Sequence, residues 1–91
     1  MRNVDLSRAT MAASDLQETN LIRANIELAY LIEANLKVAK LTEANLRRAT
    51  LIYANLQYAK LKKADLLQAD LRGADLQEAN LQEANLQEAN L

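Results

Sequence analysis

An aliphatic residue returns at every fifth position of this chain without a gap. Stepping by five from Leu6 gives Met11, Leu16, Leu21, Ile26 and Leu31, and then leucine at every step to Leu91, so that all eighteen positions are aliphatic or Met. Two residues before each stands a small residue: Ala9, Ser14, Thr19 and then alanine from Ala24 to Ala89, with Val4 the one larger exception. A polar residue, usually Asn or Asp, lies between the two. The repeating unit is therefore A-(N/D)-L-x-x, running unbroken from Val4 to Leu91.

Period five excludes the regular elements. On an α-helix each successive Leu would move about 140° around the axis, so the leucines would cover every face and leave no apolar stripe. The chain has one Gly and no Pro, so the breaks that a helical bundle needs are missing. In a continuous strand successive leucines would alternate faces, because five is odd. What fits is a short extended segment with the small residue and Leu pointing inward and Asn or Asp pointing out. The two variable residues then turn a corner into the next segment.

A weaker period of ten sets the number of sides. Positions 5, 15, 25 and onward to 85 are Asp or Asn in every case, whereas positions 10 to 90 in steps of ten include Thr10, Tyr30, Lys40, Thr50 and Lys60. If equivalent environments stack, each coil holds an even number of pentads. Two cannot enclose a core, so four is the simplest solution: square coils of 20 residues, four and a half of them, in a body on the order of 20 Å long at the usual spacing between strands.

The run ANLKVAKLTEANLRRATLIYANLQYAKLKKADLLQADLRGADLQEAN resembles the pentapeptide repeat family, whose motif is a small residue, Asn or Asp, Leu or Phe, and two free positions. The resemblance covers residues 4–91. It implies an all-β fold, a right-handed quadrilateral parallel β-helix, in a single domain spanning 1–91; the handedness comes from the resemblance alone. Family members often carry Phe at central positions, a capping helix, and loops that create a binding surface. This chain has no Phe, no recognisable cap and no insertion.

Composition narrows the chemistry. There is no Cys and no His, which removes disulfides, thiolate metal sites and the commonest general base. Of the two serines, Ser14 is expected inward. The carboxylates are spread in surface columns with no apolar pocket to separate their pKa values. No catalytic residue, metal site or cofactor is expected, and the chain reads as a non-enzyme. The Asn and Asp columns read as side-chain hydrogen-bond ladders supporting the corners. There is no signal-peptide run and no apolar stretch of membrane-spanning length, so a cytoplasmic location with no membrane is expected.

Sorting outward positions by a 20-residue coil gives candidate surfaces. Arg23, Glu43, Lys63 and Glu83 form a column of alternating sign, a solvated face. Another side stacks Thr10, Tyr30, Thr50 and Asp70 beside Ala12, Ile32, Ile52 and Arg72, with Tyr53 at its edge. This side, through Tyr30, Ile32, Ile52 and Tyr53, is the candidate interface for a protein partner or a second copy. Leu91 is expected inward at an uncapped end, so end-to-end self-association is a further expectation.

The formal net charge is −1, but residues 37–63 carry seven basic residues against Glu43, a balance of +6, and residues 64–91 carry six acids against Arg72, a balance of −5. The basic residues are expected to spread over several sides without interleaved aromatics, so nucleic acid is not an expected partner. The reading that follows is a structural or interaction scaffold. The alternative, which the resemblance implies, is a DNA-mimicking protein that binds a type II topoisomerase such as gyrase; such members look acidic along their length, unlike the basic middle here. The regularity of the second half is compatible with a natural short member and with an engineered or trimmed solenoid alike.

Overall fold

In a computed structural model, which describes residues 3–91, the chain winds into square coils. Every β-bridge is parallel and joins residues twenty positions apart, from Asp5 with Asn25 to Asp70 with Asn90. Four pentads therefore make one turn. Four sides follow: side 1 has bridge residues Asp5, Asn25, Asn45, Asp65 and Asn85; side 2 has Thr10, Tyr30, Thr50, Asp70 and Asn90; side 3 has Asp15, Asn35, Asn55 and Asp75; side 4 has Asn20, Lys40, Lys60 and Asn80. Each side pairs with its neighbours through one residue per coil, and among the described residues there is no helix.

Backbone pairing explains how so short an extended piece is held. Around Asn45 the coils exchange three bonds: Asn45 N–H donates to the Ala24 carbonyl at 2.9 Å, Leu46 N–H to the Asp65 carbonyl at 2.7 Å, and Arg48 N–H to the Leu67 carbonyl at 2.8 Å. Each corner is closed by a β-turn, as where Ala44 N–H donates to the Leu41 carbonyl at 3.0 Å. The second central residue of every turn has positive φ, between 57° and 70°, the sign that a type II turn requires there. Only Gly73 is a glycine, and Asn3 is the one asparagine; the remaining corners place ordinary residues, even Val38, in the left-handed region. That conformation costs roughly 1–2 kcal/mol for an L-residue, so coil stacking must outweigh local preference at nearly every corner.

The interior is a column of aliphatic side chains. Leu21, Ile26 and every fifth residue from Leu31 to Leu71 are buried, and the alanines from Ala24 to Ala69 are buried beside them. Alanine is required because two inward residues per side share a narrow interior in which a larger neighbour would overpack. Leu6, Met11 and Leu16 at one end and Leu76, Leu81 and Leu86 at the other are half-buried against this core. With extents of 26 × 24 × 22 Å the body is nearly as wide as it is long.

Candidate interaction surfaces

The corners are locked by side chains as well as backbone. At each bridge position of sides 1 and 3, from Asp5 to Asn85, the Asn or Asp Oδ1 accepts the backbone N–H two residues on, at 3.0–3.2 Å, as in Gln57 to Asn55 and Leu67 to Asp65. These are Asx turns. The expected hydrogen-bond ladders are therefore corrected: contact along the column occurs only on side 1, from Asn45 to Asn25 at 3.4 Å and from Asn85 to Asp65 at 3.1 Å. A side chain two residues from an unpaired turn N–H reaches it more readily than it reaches the next coil. On sides 2 and 4 the Asx turn survives only at Asn20, Asp70 and Asn80. Those two opposite sides are the ones free to vary.

Side 2 brings the sequence-predicted interface together. Tyr30 is 48% exposed, Ile32 and Ile52 are half-buried one coil apart, and Tyr53 is 67% exposed at the trailing corner. Leu28, 40% exposed at the leading corner, extends the patch and was not among the expected residues; its place in the corner column Arg8, Leu28, Arg48, Gln68, Glu88 was the available signal. Tyr53 lies over Gly73 in the next coil, a contact also missed. Leu91 does not join this patch. It is expected inward but is 72% exposed.

Polar neighbours tune the surface weakly. At the upper part of side 2 the Arg72 guanidinium donates to the Asp70 carboxylate at 2.7 Å, holding that carboxyl below its usual range and the guanidinium above its own. On side 3 the Gln57 amide donates to the Asp75 carboxylate, which is likewise lowered. At the corner between sides 3 and 4, the Glu78 carboxylate beside Tyr58 raises its phenol. In the Arg23 column, read from the sequence as a solvated face, only Arg23 and Glu43 close, at 3.1 Å. Lys63 and Glu83 are exposed and form no ion pair.

The basic band is also differently arranged from expectation. Lys40, Lys60 and Lys62 stand on side 4, Lys63 at its trailing corner and Lys37 just round its leading corner. The arginines, with Lys37, are the residues that spread over the other sides and corners. Among the described residues there is no pocket and no cluster of acids fit to hold a metal.

The pentapeptide repeats model matches this chain in eight copies, over residues 1–37, 29–68 and 54–91. The chain belongs to the pentapeptide repeat family. A crystal structure of a pentapeptide repeat protein from the cyanobacterium Cyanothece 51142 is similar to it with a TM-score of 0.94 and 40% identity, over 94% of this chain and 58% of that one. A pentapeptide repeat protein of the Arabidopsis thaliana thylakoid lumen follows, with a TM-score of 0.91 and 31% identity, over 94% of this chain and 60% of that one. A third, from Nostoc Pcc 7120, gives 0.66 and 40% over 88% and 62%. The chain thus spans about three-fifths of the length of these pentapeptide repeat proteins. No curated protein matches it. The fold is the family's right-handed quadrilateral β-helix, and pentapeptide repeat proteins are in general non-enzymatic proteins of structure and interaction.

Proposed function

We propose that this chain is an interaction scaffold that holds a protein partner on side 2. The observation that carries the reading is the continuity of Leu28, Tyr30, Ile32, Ile52 and Tyr53 over two adjoining coils, on a side whose bridge positions are released from Asx turns. β-Branched residues on a sheet surface favour their own strand pairing, but exposed tyrosines and a leucine beside them add area that folding does not use. Aromatic anchors of this kind carry binding energy when a partner desolvates them.

Co-purification with the intact chain and with Ile32→Thr, Ile52→Thr, Tyr53→Ser tests the reading. Threonine keeps the β-branch, so the variant is expected to fold and to lose the partner. A partner list shared by both chains would discard side 2 as the interface. Mimicry of DNA at gyrase is disfavoured by the +6 balance of residues 37–63, since duplex mimicry asks for acid along the whole length. A supercoiling assay is expected to show no effect of the chain; inhibition would replace the scaffold reading.

A further inference from the structure

Side 4 carries a charge that the net value conceals. Its bridge column reads Asn20, Lys40, Lys60, Asn80, and the next outward column reads Ile22, Thr42, Lys62, Gln82. Together with Lys63 at its trailing corner, it gathers four of the five lysines of the chain, and Lys37 stands on side 3 just before the leading corner. Neither column contains a carboxylate; Glu18, Glu78, Glu43 and Glu83 stand at the corners. The three ion pairs among the described residues all use arginine, so none of the lysines is paired.

Folding does not ask for this arrangement. Lys40 and Lys60 are directly bridged across adjoining coils, where like charges repel. Asn20 and Asn80 occupy the same column and close Asx turns that a lysine cannot make. The middle of side 4 therefore gives up a corner bond and accepts repulsion, a pattern of stability yielded to recognition.

The form of the patch selects its counterpart. No pocket interrupts the described surface, so there is no cradle for a small anion. Tyr58, at the leading corner, is the one aromatic nearby, short of the ranks of rings that hold unstacked bases. A duplex is convex and would touch a flat side along a strip. The charge comes from lysine, a point charge on a flexible stem, without the planar fork by which arginine reads carboxylate or phosphate geometry. A flat side of lysines among uncharged amides and a hydroxyl matches a flat anionic surface. We infer that side 4 docks reversibly on an anionic lipid bilayer, leaving the apolar side 2, on the opposite side of the coil, turned away from it.

Vesicle sedimentation tests this with the intact chain. Binding is expected to vesicles of phosphatidylcholine with phosphatidylserine and not to phosphatidylcholine alone. It should be lost in about 1 M salt, where screening shortens the reach of charge to about 3 Å. Each lysine near such a surface is worth roughly a fivefold gain, so Lys40→Gln, Lys60→Gln, Lys62→Gln together should lower binding about a hundredfold. The triple Arg8→Gln, Arg47→Gln, Arg48→Gln removes equal charge from the corner between sides 1 and 2 and should bind nearly as the intact chain does. Circular dichroism identical among the three chains keeps the comparison valid. Equal loss in both triples, binding to phosphatidylcholine alone, no binding to anionic vesicles, or tighter binding of a single-stranded oligonucleotide would overturn the inference. The Ile32, Ile52 and Tyr53 variant should bind the same vesicles unchanged, which keeps this test separate from that of side 2.

Discussion

The ring of Tyr53 fills the space that a side chain at Gly73 would need. A Cβ on Gly73 would stand 2.5 Å from Tyr53 Cδ1 and 2.6 Å from Cε1, and Gly73 has φ of +70°. Gly73→Ala therefore meets two penalties, a left-handed alanine and a displaced ring. The first costs about 1 kcal/mol. The ring is exposed and can swing outward, so the second is expected as loss of the side 2 surface rather than of the fold. In a Tyr53→Ala background, Gly73→Ala should cost only the backbone part, and a double-mutant cycle read by thermal melting measures the difference. Equal costs in both backgrounds would show that the ring does not depend on the glycine.

Val38 is the β-branched residue at a left-handed corner, with φ of 62°. Branching makes that region especially unfavourable, whereas asparagine visits it readily. Val38→Asn should raise stability by about 1 kcal/mol, and Val38→Thr, which keeps the branch, should not. A denaturant titration compares the two. A gain for both would place the effect in lost surface apolarity instead.

The core sets the largest contrast between neighbours. Leu56 and Ala54 are each 1% exposed, and Gln57 stands outside beside Asp75. Leu56→Lys buries a charge without a partner and should abolish cooperative unfolding. Gln57→Lys should change stability by no more than about 0.5 kcal/mol, as surface substitutions usually do. Ala54→Leu should cost about 1–3 kcal/mol by overpacking. Similar melting curves for the Leu56 and Gln57 variants would contradict the square coil.

Much of this was legible because one period governs every level. Once five residues turn one corner, Leu56 must be inward and Gln57 outward, and the ten-residue alternation yields four sides. What escaped reading obeyed forces that the period does not express. The Asx bond of Asn55 acts within its own pentad, yet stacking makes it look like a ladder between coils. The positive φ at Val38 or Tyr53 leaves no glycine signature, because coil-to-coil bonds override local preference. The lysines were hidden for a different reason: charge summed along the axis blurs Lys40 and Lys60 into a band, while sorting by twenty places them on one side.

Acid should weaken the fold at identifiable places. The carboxyls of Asp5, beside the Ser7 hydroxyl, of Asp70, beside Arg72, and of Asp75, beside the Gln57 amide, all lie below the ordinary 3.8. A folded pKa lower than the unfolded one adds stability that is present above the unfolded value and is lost as pH falls through the folded value. Tm should therefore decline as pH drops from about 4 downward. Replacing all three by asparagine keeps an acceptor for each turn and removes the titration. The variant should melt slightly lower at neutral pH, and its Tm should vary less across the acid range. An unchanged acid limb would assign it to other carboxylates.

The two kinds of side make a last, direct comparison. The Asn55 side chain on side 3 accepts the Gln57 N–H at 3.0 Å, whereas Lys60 on side 4 occupies the same place in its pentad with a side chain that has no acceptor. Asn55→Ala leaves a turn N–H to water and should cost about 0.5–1.5 kcal/mol. Lys60→Asn should restore an Asx turn like that of Asn80 and remove the repulsion from Lys40, so stability should rise by a comparable amount. Opposite signs for these two substitutions, measured by chemical denaturation at one pH and salt, are the expected outcome. If Lys60→Asn were neutral or destabilising, the Asx turn would not be what separates sides 1 and 3 from sides 2 and 4. The ten-residue alternation would then need another cause, and the lysines of side 4 could no longer be read as a departure from the most stable choice.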